Sequence, residues 1–278
     1  MISIVKSDCL RFLRAQPAGS IDLVFGSPPY EDCRTYGIDF RLKGQAWVDW
    51  MVEVFIAAQD ACKGLVAFVV EGKTKNFQWS ATPALLMADL HRRGLKLRKP
   101  PAFHRVGIAG SGGPDWLRND FEFIVCTSHG KLPWSDNTAM GHPPKWAPGG
   151  EISNRTKDGQ RVNKRAARGY ANGDVDRSVG YDPPVKANPG NVLRYRVGGG
   201  VMGNKLCHVN EAPFPEGLAE FFIRSFCPPD GLVCDCFCGS GTTAAMAAKW
   251  GRNFTGCDLR QSQIELSHKR LKVQAEAV

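Results

Sequence analysis

The sequence predicts an α/β fold, a mostly parallel sheet with helices on both faces and an irregular basic insert. Three observations carry this. Short apolar runs alternate with helix-length stretches toward both ends of the chain. Two of those runs stop abruptly in turn-forming clusters, Gly26-Ser27-Pro28-Pro29-Tyr30 and Cys238-Gly239-Ser240-Gly241. Between them, residues 131–205 hold twelve glycines and seven prolines in 75 positions, with little apolar periodicity.

In order, Ile2–Val5 and Ile21–Phe25 are strand-length apolar runs, and Leu10, Leu13 and Arg14 between them have helical spacing. Ala46–Ala61 reads as a helix, Leu65–Val70 as a strand, and Pro83–Arg93 as a helix that opens on proline. Lys99–Val106 and Phe121–Thr127 close the first half as strands. Beyond the insert, helix Pro215–Ser225 leads to strand Leu232–Cys236. The alanine-rich helix Thr242–Trp250, strand Asn253–Cys257 and helix Gln261–Lys272 follow. Residues 1–130 and 206–278 are expected as two halves of one domain, with 131–205 set into it.

Composition excludes several classes. With 278 residues, 43% hydrophobic and 23% charged, the chain is neither disordered nor fibrous. No run approaches the ~18 apolar residues of a membrane span. Met1–Asp22 lacks a basic-then-apolar leader, so a cytoplasmic location and no membrane partner are expected. The ten cysteines are too sparse for a disulfide scaffold and sit mostly within apolar runs, which predicts buried thiols. Cys234, Cys236 and Cys238 alternate at period two rather than in zinc-type pairs, so no metal is expected.

The formal charge is +9, and it is local: residues 131–205 hold thirteen Lys or Arg against six Asp or Glu, seven of the nine excess charges. Arg155, Lys157, Arg161, Lys164, Arg165 and Arg168 form a dense run, which reads either as a solvated loop or as a nucleic-acid surface. Trp134, Trp146, Tyr170, Tyr181 and Tyr195 interleave with the cations and favour nucleic acid, since rings stack on bases while cations meet phosphates.

The glycine cluster closes a strand, Val233-Cys234-Asp235-Cys236-Phe237, and opens a helix at Thr242. Such a turn lets a ligand approach the backbone and offers it the helix's unpaired N–H groups. Seventeen positions after Gly241, Asp258 ends the next strand, where a carboxylate can accept ribose hydroxyls. No lysine follows the glycines, which excludes a Walker loop, and Ala244 breaks the dinucleotide pattern. An adenosine carrier without a phosphate fits, S-adenosylmethionine being the common one.

The other cluster, Ser27-Pro28-Pro29-Tyr30, ends the strand Ile21–Phe25. Two prolines fix the backbone and remove two donors, so carbonyls are expected to be free for a ligand amine. Ser27 adds a further acceptor, and Tyr30 a ring on which a planar base can stack.

With both turns in this order the sequence resembles the permuted beta class of DNA amino-methyltransferases. That family runs from a Ser/Asp/Asn-Pro-Pro-Tyr/Phe motif through a target-recognition segment to an Asp-Pro-Phe-x-Gly-Ser-Gly-Thr-like motif. The resemblance covers nearly the whole chain. It implies a circularly permuted, Rossmann-like S-adenosylmethionine-dependent methyltransferase fold acting on a flipped base in DNA. Ser27, Pro28, Pro29 and Tyr30 would be catalytic, and Asp235, Phe237, Gly239, Ser240, Gly241, Thr242 and Asp258 would hold the cofactor. Ile4-Val5-Lys6-Ser7-Asp8 matches a further cofactor strand, implying that Asp8 accepts from the adenine amino group. His208–Glu216, with Pro213 and Phe214, resembles the segment over the methionine part. Cys236 departs from the usual proline, which changes turn stiffness more than chemistry. Arg34 lies just beyond the proline turn, within reach of the extruded nucleotide or its backbone, as does Tyr36.

Serine at the head of the motif leans toward N4 of cytosine over N6 of adenine. A homodimer and a cognate restriction endonuclease are the protein partners the resemblance allows. Protein-glutamine or RNA amino-methylation is the enzymatic alternative, although glutamine enzymes carry the glycine turn before the proline turn. A non-catalytic DNA-binding protein retaining the fold is the other.

Overall fold

The computed structural model describes residues 1–32, 40–108, 113–143, 151–156, 158–165, 185–198, 200, 202–210 and 212–275, with 151–155, 161–165, 207, 208, 274 and 275 in backbone only. In chain order the elements are β1 (Ile2–Lys6), α1 (Cys9–Arg14), β2 (Ile21–Gly26), α2 (Gln45–Ala61), β3 (Cys62–Val70), β4 (Thr74–Lys75) and β5 (Gln78–Trp79). Then come α3 (Thr82–Arg92), β6 (Leu97–Arg98), β7 (Ala102–Val106), β8 (Phe121–Thr127), β9 (Glu151–Arg155), β10 (Arg161–Arg165) and β11 (Val192–Arg196). A 3₁₀ turn (Lys205–Val209), α4 (Glu216–Phe226), β12 (Leu232–Asp235), α5 (Thr242–Lys249), β13 (Asn253–Asp258) and α6 (Gln261–Ala275) complete the chain.

Two compact units result, Met1–Ala139 with Gly190–Val278, and Met140–Pro189. The smaller contains the antiparallel hairpin β9–β10 and a bridge between His142 and Ala187. The larger contains a nine-stranded sheet in the order β1-β13-β12-β2-β3-β8-β7-β11, with β6 also on β8. Every pairing is parallel except those of β8 with β3, β6 and β7. The expected insert over 131–205 therefore includes one strand of the main sheet. In β11 only Leu193 is buried while Val192, Arg194 and Arg196 are exposed, a period-two pattern concealed by the surrounding charge. The expected strand Lys99–Val106 is split, with Leu97–Arg98 and Ala102–Val106 on opposite sides of Pro100-Pro101.

The centre of the sheet is buried on both faces, which is why β2 and β3 read as continuous apolar runs. Val24, Val66, Phe68 and Val70 pack under α1, α2 and α3. Phe25 turns the other way and stacks on Phe222 of α4, ring centroids 4.5 Å apart, where α4, α5 and α6 pack together. No helix among the described residues is long and apolar enough to cross a membrane. Among the described residues eight cysteines are free and buried. Burial raises the Cys9, Cys62, Cys126 and Cys227 thiols to about 12, and those of Cys234, Cys236 and Cys238 well above their ordinary value.

Two close approaches set the geometry around β2. A Cβ on Gly64 would lie 1.9 Å from the Asp22 carbonyl oxygen, at the irregularity where β2 and β3 shift register between Ile21 and Leu23. A Cβ on Gly26 would lie 2.3 Å from Asp235 Oδ1, so the last residue of β2 rests against the last carboxylate of β12. Asp235 is buried and accepts from the Phe237 N–H at 2.9 Å and the Thr243 hydroxyl at 2.8 Å. Burial pushes its carboxyl up to about 7; those two hydrogen bonds oppose the shift and the Asp258 charge adds to it.

Gly64→Ala has no room against a backbone carbonyl, so a loss of about 2 kcal/mol or more is expected in urea unfolding. For Asp235, the folded carboxyl keeps its proton up to about pH 7, whereas the unfolded one releases it near 3.8. The folded state thus holds the extra proton between those values. Stability from this group is full below the lower value and lost as pH rises through the upper one. Asp235→Asn removes that slope. Between pH 5 and 8 the variant should gain on the unaltered protein by about 2 to 3 kcal/mol in denaturant midpoints.

Candidate active site

Because β2 and β12 are adjacent and parallel, the turns that follow them open at one edge of the sheet, where the strand order reverses. A cavity of about 440 Å³ lies there, a size suited to a small organic ligand. Its wall takes Ser7–Cys9 from beyond β1, Ser27–Tyr30 from beyond β2, Cys236, Phe237 and Gly239 from beyond β12, and Asp258–Arg260 from the end of β13. Phe40, Trp50 and Asn210 add to it. The two turns predicted from sequence to share a site do share one.

In the proline turn, the Ser27 hydroxyl has two acceptors for its one proton, the Val69 carbonyl at 3.3 Å and the Tyr30 hydroxyl at 3.5 Å. With either one taking the proton, what the oxygen offers elsewhere is its lone pairs. The expectation that both proline carbonyls stay free is corrected: the Pro29 oxygen accepts from the indole N–H of buried Trp47 at 2.9 Å. The Tyr30 hydroxyl donates to Glu122 Oε2 at 2.9 Å, and Arg105 pairs with Glu122 Oε1 at 2.9 Å. The ring is therefore oriented by an ion pair two strands away.

Sequence reasoning missed Glu122, Arg105 and Glu31. Glu31, nearly fully buried, accepts from the Gly44 N–H at 2.7 Å, the Thr82 hydroxyl at 3.1 Å and the Lys73 N–H at 3.3 Å. Burial opposes its charge, yet these bonds together with one from Ser80 hold its carboxyl below the ordinary range. It fastens the segment after Tyr30 to the starts of α2 and α3. Across from Glu122, Glu71 accepts from the Trp79 indole at 3.0 Å, and burial first, then the Glu122 charge, raises its carboxyl.

The glycine turn separates into two sides. Gly239 and Gly241 take the left-handed φ values of 48° and 74°. A Cβ on Gly241 would meet Ser267, and one on Gly239 would meet Asn210, which overlies the turn. The Gly239 N–H donates to Asp258 Oδ2 at 3.0 Å and the Arg260 N–H to Asp258 Oδ1 at 2.9 Å, so each oxygen keeps a further lone pair. Phe237 reaches the cavity and meets Trp50 edge-on at 5.8 Å. Asp235, Ser240, Gly241 and Thr242 do not line it. Fully buried Arg270 of α6 donates to the Thr242 hydroxyl at 2.8 Å and the Ser240 carbonyl at 3.3 Å, and pairs with Glu216. Pro213 and Phe214 are also off the wall, Phe214 packing edge-on against Phe25 at 5.5 Å. Asp8 is on it: one carboxylate oxygen accepts from the Arg11 N–H at 3.0 Å and caps α1.

The predicted cations fare differently. Arg34, Lys157 and Arg168 lie outside the described residues, as do Tyr36, Trp146, Tyr170 and Tyr181. Arg155 ends β9, and Arg161, Lys164 and Arg165 belong to β10, all in the smaller unit.

Carboxylates at the ends of β1 and β13, an aromatic wall and a glycine turn between them fit an adenosine. The acceptor set beside it, a hydroxyl oxygen and a proline carbonyl, fits an amine. The family model described as DNA methylase matches residues 21–269. The chain is 41% identical over 279 residues to the type II methyltransferase M.HinfI of Haemophilus influenzae, covering 97% of this chain and 68% of that one. It is 27% identical to the orphan methyltransferase M.BamHII of Bacillus amyloliquefaciens, covering 91% and 89%. Among solved structures, PvuII DNA methyltransferase (cytosine-N4-specific) superposes with a TM-score of 0.69 at 19% identity, covering 99% of this chain and 90% of that one. A putative DNA modification methylase of Thermus thermophilus, complexed with S-adenosyl-L-methionine, gives 0.63 at 18%, covering 100% and 96%. The chain belongs to the N6/N4 DNA methylase family, the S-adenosylmethionine-dependent enzymes that methylate exocyclic amino groups in DNA.

Proposed function

We propose that the cavity holds S-adenosylmethionine on its glycine-turn side and an extruded base on its proline-turn side, and that N4 of cytosine is methylated in preference to N6 of adenine. The carrying observation is the setting of Ser27: its proton has acceptors within the protein, the Val69 carbonyl at 3.3 Å and the Tyr30 hydroxyl at 3.5 Å, so its oxygen is an acceptor at the edge of the cavity. Asp8 and Asp258 are assigned to the adenine amino group and the ribose hydroxyls, with Phe237 and Trp50 against the ring. When bound, the cofactor supplies an electrophilic methyl group on a sulfonium.

The residues of this chain supply position and electrostatics. An exocyclic amine is a weak nucleophile because its lone pair is delocalised into the ring. Ser27 Oγ and the Pro28 carbonyl, each accepting one N–H, favour a pyramidal nitrogen with a localised pair. Pro28 and Pro29 hold that geometry rigid, with Trp47 fixing the second carbonyl. Serine is a weak base, so the amine loses its proton after methylation, when it is cationic and acidic. Reaching the cavity requires the base to leave the duplex, at a few kcal/mol, part of which stacking on Tyr30 recovers. The ion pair behind Tyr30 keeps the ring face presented. The smaller unit and the basic insert of 131–205 are assigned to DNA recognition, with Arg155, Lys157, Arg161, Lys164, Arg165 and Arg168 on phosphates. A homodimer and a cognate endonuclease remain part of this reading.

Incubation with DNA and labelled cofactor, followed by nuclease digestion and mass spectrometry, is expected to give N4-methylcytosine. N6-methyladenine would reject the base assignment alone, and label in protein only would reject the reading entirely. Tyr30→Ala should bind cofactor normally in calorimetry and lose transfer by about a hundredfold, a stacking loss of roughly 1 to 3 kcal/mol. Tyr30→Phe, which keeps the ring and removes its hydrogen bond to Glu122, should lose about tenfold or less. An equal loss in both would assign the effect to the hydroxyl instead.

A further inference from the structure

All four exposed Phe and Trp side chains among the described residues, Phe77, Trp79, Trp116 and Phe121, lie on one edge of the larger unit. The topology explains why. β3 is parallel to β2, β8 antiparallel to β3, and β7 antiparallel to β8. The end of β3, the end of β7 and the start of β8 therefore all emerge on the edge that carries the proline turn. Trp79 stacks on Phe123 at 6.0 Å, and Phe121 meets Phe123 at 5.2 Å, so the hairpin after β3 abuts the first residues of β8. Phe77 is 77% exposed, Trp116 78% and Leu117 80%.

Phe77 stands out by its backbone. β4 and β5 are joined by two residues, Asn76 and Phe77, with φ of 50° and 63°. A two-residue hairpin with both φ values positive favours Asn at the first position and Gly at the second. A phenylalanine at the second is strained, and no ring among the described residues packs on it in compensation. The hairpin is also fastened to the catalytic turn: Lys73 Nζ meets the Asp32 carboxylate at 3.0 Å, and the Lys73 N–H donates to Glu31. Lys43 and Lys75 also lie within electrostatic reach of the Asp32 carboxylate, so three lysines gather beside the rings. Exposed rings interleaved with cations next to the opening for a flipped base suit nucleic acid.

We propose that the hairpin 73–79 and the segment 113–121 form a DNA-docking edge distinct from the basic insert, with Phe77 inserted as a wedge where the extruded base leaves the stack. This rests on the proline turn being where that base is held. Apolar wedges of this kind unstack a base step and occupy the space opened. The lysines meet the flanking phosphates, while Trp116 and Leu117 cover the neighbouring sugar edge.

Phe77→Gly tests it, because glycine relieves the left-handed turn and should leave the melting temperature equal or higher. Methyl transfer to a matched duplex is expected to fall at least tenfold in kcat/KM, with cofactor affinity by calorimetry unchanged. A duplex whose target base is mismatched, hence already unstacked, should restore most of the loss. Trp116→Ala, in an exposed loop, should weaken binding to matched duplex severalfold in fluorescence anisotropy. Unchanged transfer by Phe77→Gly would overturn the proposal, as would an equal loss on matched and mismatched duplexes. A dimer of the unaltered protein that Phe77→Gly converts to monomer in sedimentation would assign the edge to a second copy and overturn it too. No transfer by the unaltered protein would remove the underlying reading, and this inference with it.

Discussion

The pairing of β2 with β12 is the contact on which the rest of the active site depends. Only two residue pairs define it, Leu23 with Val233 and Val24 with Cys234, yet it joins segments some two hundred positions apart. Side chains secure both ends. Below, the Leu232 N–H donates to Asp22 Oδ2 at 2.9 Å, while Lys63 holds the other oxygen at 3.1 Å. Above, Gly26 admits the carboxylate of Asp235 against its Cα. Neither end tolerates slippage, because moving a central strand by one residue exchanges its faces and would send Val24 and Phe25 to the wrong helical layers. The relative position of the proline and glycine turns is thus determined before any ligand arrives.

What surrounds this pairing is a set of buried carboxylates, each answered by donors. Asp235 has a backbone N–H and Thr243, Glu31 a ring of donors from three elements, Glu122 an arginine and a tyrosine. Leaving any of them without donors would strand a buried acceptor, so each works as a positional lock more than as a source of net stability. The consequence for chemistry is preorganisation. The acceptor oxygen of Ser27 and the ring of Tyr30 are held by the protein's own hydrogen bonds.

The sequence disclosed what local periodicity encodes. Strands buried on both faces stood out as unbroken apolar runs, and the helices as stretches between turn residues. The two turns were legible because proline and glycine constrain backbone directly. Partners distant in sequence were not. Glu31 carries no local signal of its role, because its partner Thr82 lies 51 positions on. Arg270 sits in a polar helix, yet it is fully buried and donates to Ser240 and Thr242 of the glycine turn. Trp47 falls in the expected helix Ala46–Ala61, and nothing in its neighbourhood indicates that its N–H takes the Pro29 carbonyl. β11 escaped because arginines and glycines outnumber its one buried leucine.

The glycine turn also shows why a motif is a poor guide to contacts when its residues are read one by one. Its hydrogen-bonding side chains, Asp235, Ser240 and Thr242, are turned inward to Thr243 and Arg270. The side open to the cavity is Cys236, Phe237 and the backbone of Gly239, surfaces without charge. An uncharged nucleoside can lie on such a surface without desolvating an ion. The carboxylates on its wall lie at the flanks, Asp8 beyond β1 and Asp258 at the end of β13, on adjacent strands. The polar residues of the turn shape the cradle, and the carboxylates that face it belong to the neighbouring strands.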